Sequence, residues 1–144
     1  MHRTELTETI HGCGHENILA THHATFEFTK DNHVSRDGDC ILVVSCDKSL
    51  LDLGKQFKEA LRQPHSRLTV RIEADGMSEE AHAEGSSSLS LSHPREMVVR
   101  KSDYVSDRTL AVHADKAARD FSRALVEQLK NPRQQVVVTL VVRV

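Results

Sequence analysis

The sequence predicts an α+β (or α/β) fold: a mixed sheet, open or partly closed, carrying two main helices and built from two pseudo-symmetric strand–strand–helix–strand repeats. Three observations lead there. Several stretches alternate apolar and polar residues with the period of a half-buried strand. Two others place apolar residues three and four apart, as a helix facing a core does. The two strand–helix–strand stretches can also be laid on each other without a gap. At 144 residues the chain is one domain of ordinary size, 1–144, with repeats at about 18–75 and 88–144.

Ile18–Thr29 alternates throughout, with Ile18, Ala20, His22, Ala24, Phe26 and Phe28 on one face and Leu19, Thr21, His23, Thr25, Glu27 and Thr29 on the other. Leu6–His11 is expected to pair with it across a Gly12–Asn17 turn. Cys40–Cys46, CILVVSC, is apolar on both faces, which suits a central strand, and its two cysteines read as small buried hydrophobes. Ser49–Gln63 reads as a helix capped by Ser49 with Asp52 three residues on, striped by Leu50, Leu53, Phe57 and Leu61 and closed by Pro64. Leu68, Val70, Ile72 and Ala74 mark the next strand. The Gly-, Ser- and Glu-bearing Asp75–Ser88 reads as a flexible loop. Short strands follow around Leu89 and Leu91, at Met97–Val99 and at Thr109–His113. A second helix from Asp115 to Lys130 buries Ala118, Phe121, Leu125 and Leu129, Pro132 ends it, and Gln135–Val144 is a final apolar strand.

In the gapless overlay, Ile41 onward meets Thr109 onward: Asp47–Lys48 meets Asp115–Lys116, Pro64 meets Pro132, and Val70 meets Val138. A shared Asp-Lys before each helix and a shared proline after it are hard to obtain from amphipathicity alone. Upstream, Thr25–Lys30 matches Ser88–His93 after a small insertion. The expected arrangement is two halves about a pseudo-dyad, sharing a continuous sheet, with right-handed crossovers where helices join parallel strands.

Composition excludes several classes. Nineteen basic against 21 acidic residues give a net charge of −2, and the aromatics are four Phe and one Tyr, so a polyanion binder or base-stacking platform is not favoured. Three cysteines without CxxC spacing argue against a disulfide framework and fit a reducing, cytoplasmic setting. The start of the chain has no signal-like apolar region, and the longest apolar run, VVVTLVV, is too short for a membrane helix. No P-loop, dinucleotide fingerprint or nucleophile elbow appears.

Chemistry concentrates in the two loops preceding the matched strands, Ser35–Cys40 and Arg100–Thr109, which the pseudo-dyad makes neighbours; Asp39 matches Asp107 and Cys40 matches Arg108. Guanidinium groups there suit phosphate or carboxylate. His23, Thr25 and Glu27 share one strand face, so a histidine beside a carboxylate is a candidate for acid–base work. His11-Gly12-Cys13-Gly14-His15 offers nitrogen and sulfur ligands, but its glycines favour a turn and its spacing matches no zinc signature; no metal site is assigned. The ten histidines, once protonated, move the net charge from −2 to +8 (−2 + 10).

Gly14-His15-x-Asn17-Ile18-x-Ala20, His23-x-Thr25-x-Glu27-x-Thr29-Lys30, Gly38-Asp39-Cys40-Ile41, and Arg100-Lys101-Ser102-Asp103 with Arg108-Thr109-Leu110 together resemble the archaeal domain-of-unknown-function family 371, which also occurs in some eukaryotes. The resemblance covers most of the chain. It implies no settled activity or cofactor, but it marks His15, Asn17, His23, Glu27, Asp39, Arg100, Lys101, Asp103 and Arg108 as the residues to test. His11 and Cys13 fall outside the pattern, and Glu84–Ser92 departs from it. Three functions stay open. The first is a binding module for a small anionic ligand, phosphate- or carboxylate-bearing and in one form nucleotide-like, held in a cleft at the repeat interface by His15, Asn17, Arg100, Lys101, Asp103 and Arg108. The second is an acid–base or metal-assisted enzyme using His15 or His23 with Glu27 or Asp39. The third is an interaction or RNA–protein assembly factor.

Overall fold

Residues 4–144 are described by the structure, a computed structural model. Strand β1 (Glu5–Cys13) is followed by β2 (Thr25–Thr29), β3 (Ile41–Val43), helix α1 (Lys55–Leu61) and β4 (Arg67–Ala74). The same succession then recurs as β5 (Met77–Glu84), β6 (Glu96–Arg100), β7 (Thr109–Ala111), α2 (Arg123–Leu129) and β8 (Gln135–Arg143), and a one-turn 3-10 segment precedes each helix.

These strands form two four-stranded sheets, not one continuous sheet. The first is antiparallel, in the order β1-β8-β4-β5; the second is mixed, in the order β3-β2-β6-β7, with an antiparallel centre and a parallel pair at each side. Single bridges, Cys13 to Val44 and Glu84 to Val112, link the sheets at their rims without closing a barrel. Strand β1 pairs with β8, so the expected hairpin between β1 and β2 does not form. Asp75–Ser88 is not a flexible loop: a turn at Gly76 (φ +75°) leads into β5, whose alternation is disguised because its inward side chains are only Met77, Glu79, Ala81 and Ala83. Leu89 and Leu91 are buried in a non-strand segment, and Leu91 has φ +51°. The helix-linked strands β3 and β4 lie in different sheets, so no helical crossover joins parallel neighbours. The crossovers within a sheet are the loops from β2 to β3 and from β6 to β7.

Both predicted helical stripes are buried, yet each helix is split. Leu53 and Phe121 adopt extended backbone (ψ 144° and 145°), which separates the 3-10 turn from the helix. The carboxylates of Asp52 and Asp120 accept from the backbone N–H groups of Ser49 (3.0 Å) and Ala117 (2.8 Å), fixing the first turn in each half. Between the sheets, Phe26 meets Phe28 and Phe121 edge-on, with ring centroids 5.8 and 5.2 Å apart. Burying each such ring contributes about 1.5–3 kcal/mol, whereas an exposed ion pair such as Lys130–Glu127 contributes roughly 0–1 kcal/mol. The layer between the sheets, not the charged rim, holds the fold.

Corresponding contacts recur in the two halves. Lys30 pairs with Asp52 (2.8 Å) as Lys101 does with Asp120 (2.9 Å). Glu8 accepts from the Gly54 N–H as Glu79 does from that of Ser122. Left-handed backbone occurs at Ala20 and Leu91, and again at Ser45 and His113. The imidazoles of His22 and His93 each accept two backbone N–H groups through Nδ1. These contacts make Glu96–Lys101, not Ser88–His93, the counterpart of Thr25–Lys30.

Candidate functional site

Strand β2 lies beside β6 with Thr25 opposite Arg100, Glu27 opposite Val98 and Thr29 opposite Glu96. Side chains alternate, so Phe26, Phe28, Met97 and Val99 enter the core while Thr25, Glu27, Thr29, Glu96, Val98 and Arg100 share the other face. A face exposed to water would tolerate these polar groups. This one is largely closed: Glu27 is 4% exposed, Val98 3% and Thr29 1%.

Glu27 is the anomaly. Its Oε1 accepts from the Cys40 thiol (3.7 Å), and its Oε2 is buried with no donor in reach. A buried carboxylate with an unsatisfied oxygen costs several kcal/mol, so the group keeps its proton instead. Burial pushes the Glu27 carboxyl up to about 8, and the hydrogen bond and negative charge of Glu96, its diagonal neighbour across the strands, push the same way. As a neutral acid, Glu27 is the donor of the hydrogen bond between its carboxyl and that of Glu96. Partial burial opposes ionisation of Glu96, but the hydrogen bond from Glu27, together with Arg108 and His93, holds its carboxyl below the usual range. Arg108 Nη1 is 3.3 Å from Glu96 Oε1, and His93 Nε2 is 3.7 Å from Oε2. The opposite shifts make Glu27 the protonated member of the pair and Glu96 the ionised one.

Two guanidiniums flank this pair. Arg100 donates through Nε to Thr109 Oγ1 (2.9 Å) and through Nη2 to Ser106 Oγ (3.0 Å). Its guanidinium lies 5.0 Å from the ring centre of Tyr104, a side chain 61% exposed. Partial burial, then the nearby charge of Arg108, lower the Arg100 pKa. Arg108 is 44% exposed and donates through Nη1 to Glu96. Burial first, and Glu27 second, push the Cys40 thiol up to about 12, so it is a neutral donor rather than a nucleophile.

Of the sequence-predicted residues, Glu27, Arg100 and Arg108 thus meet, whereas Asp39 adjoins the site only as the chain neighbour of Cys40. Asp39 also takes the Thr21 and His22 N–H groups on its carbonyl. The others do not join them. His23 is exposed and stacked on His22 (5.2 Å, 11°), because the strand begins only at Thr25 and the alternation upstream of it is not strand structure. His15 accepts from the Asn17 N–H and lies edge-on to His33, while Asn17 donates to the Val34 carbonyl; both brace loops. Lys101 is held by Asp120 in an ion pair that the first half repeats, and Asp103 is exposed on the loop after β6. Sequence reasoning passed over Glu96, Cys40, His93 and Tyr104. Only the register of β2 against β6 brings Glu96 to Glu27, and that register has no local signature.

Among the described residues, no cluster of three or more His, Cys, Asp or Glu side chains is placed to hold a metal ion. A cavity of about 440 Å³ opens on the outer face of the antiparallel sheet beside His82, His113, Asp115 and Arg67. Its Asp115 holds both the N–H and the ring of His82, as Asp47 holds those of His11, so this pair belongs to the fold.

Fold and site together define a two-sheet α+β protein of two like halves, with a buried carboxyl, a second carboxyl beside it and two arginines where the halves meet. The chain belongs to the family described as "Domain of unknown function (DUF371)", whose profile matches residues 10–143. It is similar to the uncharacterized protein MJ0206 of Methanocaldococcus jannaschii, with 40% identity over 123 residues, covering 85% of this chain and 90% of that protein.

Proposed function

We propose that the protein binds a small ligand bearing a phosphate or carboxylate group, received by Arg100 and Arg108 over the outer face of the mixed sheet. The observation that carries this reading is a charge imbalance. Two neighbouring guanidiniums face one ionised carboxylate, Glu96, because the second carboxyl, Glu27, is neutral. A positive charge left over in a half-buried setting suits one anionic group, and guanidinium forks match its oxygens. Tyr104, exposed and stacked on Arg100, gives a planar or sugar-like portion of a nucleotide-like ligand a surface to lie on. The net charge of −2 and the scarcity of aromatics favour a small ligand over a nucleic acid. No helix is long and apolar enough to cross a membrane among the described residues, and the free thiols support a reducing, cytoplasmic setting.

A second reading has its own support: a carboxyl still protonated near neutral pH, beside an ionised partner, suits a general acid acting on the bound ligand. His15 and His23 take no part in it.

Thermal denaturation in the presence of phosphate, nucleoside monophosphates and small carboxylates tests the binding reading. A ligand at a hundred times its Kd adds about 2.7 kcal/mol of stability. The expected result is a rise in Tm that Arg100→Gln and Arg108→Gln each reduce or abolish. A rise unchanged in both variants, or none with any of these ligands, overturns the reading.

A further inference from the structure

We infer that this site takes up its anion together with a proton, the carboxyl pair Glu27–Glu96 being the group that holds it. The inference rests on the binding reading above and adds a co-ligand to it. Its geometric basis is the sharing of one guanidinium. Arg108 Nη1 lies 3.3 Å from Glu96 Oε1, and that same side chain is the exposed cation on which an incoming anion would settle. Negative charge arriving at Arg108 competes with Glu96 for it and weakens the compensation that keeps the pair singly charged. Buried Glu27, with its Oε2 lacking any donor of its own, then holds its proton more tightly.

Linkage makes the effect reciprocal: whatever strengthens the proton strengthens the anion by the same factor. The groups facing the pair come from every element around it. Cys40 stands at the end of the first crossover loop, Arg100 lies on β6, Arg108 precedes β7, and His93 approaches Glu96 from the segment before β6. Of these, Cys40 is a neutral thiol, pushed up to about 12, and the arginines remain charged. Above the Glu27 value of about 8, loss of the shared proton places a second negative charge beneath the two guanidiniums, and the anion is repelled. The proton comes from solvent on binding and returns to it on release, so no other reactant is needed.

Sulfate is a suitable probe because its charge is constant from pH 6 to 10. Calorimetric titration of the intact protein with sodium sulfate, at an ionic strength held with chloride, should give a level Kd up to about pH 7.5. Kd should then rise toward a limit of about tenfold per pH unit above 8. In that upper range the heat should vary with the buffer's own ionisation enthalpy, reporting up to one proton taken up per sulfate. Glu27→Gln, which keeps a hydrogen donor toward Glu96, should bind sulfate with a level profile. If this variant does not fold, the buffer dependence of wild-type heat still decides. Saturable binding that depends on Arg108 but shows neither a pH trend nor proton uptake overturns the inference and leaves the reading standing. Absence of saturable sulfate binding at every pH, or binding unchanged in Arg100→Gln and Arg108→Gln, overturns both.

Discussion

At the scale of single residues, the carboxyl of Glu27 couples stability to pH in a direction opposite to that of an ordinary surface acid. The folded protein keeps this proton up to about 8, while an unfolded chain releases it near the ordinary glutamate value of 4.5. Over that window the unfolded state binds fewer protons, so stability declines as pH rises, by at most about 1.4 kcal/mol per unit. Glu96, held below its ordinary value, acts in the other sense and in a lower window, where stability rises with pH. Glu27→Gln should therefore flatten the trend: urea midpoints at pH 5.5 and 8 should differ in the wild type and coincide in the variant. A decline that persists in Glu27→Gln would place its origin elsewhere. Glu27 itself was legible as one of three polar side chains on a strand face. Its neutrality was not, because that depends on the loops that cover it and on Glu96, which lies 69 positions away (96 − 27) and meets it only through strand register.

At the scale of elements, each short helix is clasped by a glycine of the opposite half. Gly14 follows β1 and lies against the carbonyls of Leu129 and Asn131 at the end of α2; Gly85 follows β5 and lies against the Leu61 carbonyl and Ser66 Oγ at the end of α1. The next residues donate to the same carbonyls, His15 N–H to Leu129 and Ser86 N–H to Leu61, both at close range (2.9 and 3.1 Å). An added Cβ at Gly85 would overlap backbone, which cannot rotate aside. Gly85→Ala should therefore destabilise the protein by about 2–4 kcal/mol, read as a fall in the urea midpoint. Gly76→Ala, whose Cβ meets nothing but whose φ is +75°, should cost about 1 kcal/mol. Equal losses at the two positions would contradict the account. The stripes Leu50–Leu61 and Ala118–Leu129 were readable because they follow the helical period. The break at Leu53 and Phe121 was not, since a 3-10 turn followed by a helix can preserve the same apolar spacing. Strand β5 escaped notice because alanines and a glutamate occupy its inward positions and lack the apolar signature of a strand.

At the scale of the molecule, the halves interleave. Strand β1 of the first pairs with β8 of the second, and β4 of the first sits between β8 and β5 of the second. The mixed sheet is likewise completed across β2 and β6, one from each half. The gapless overlay of Ile41 onward on Thr109 onward matches the recurring order of β3, α1 and β4 in β7, α2 and β8. The pairing of β1 was missed because a strand's partner across the molecule leaves no trace in its own residues. The candidate site is the part of this arrangement that breaks the likeness. Glu27 corresponds to Val98, Cys40 to Arg108 and Thr25 to Glu96, so each half supplies chemistry that the other lacks. The account turns on those two contributions sharing one proton. A carbon-13 NMR titration of the glutamate side-chain carboxyls tests this most directly: the Glu27 resonance should move with a midpoint near 8 while that of Glu96 titrates below 4.5. A Glu27 carboxyl already ionised at pH 6 would contradict it.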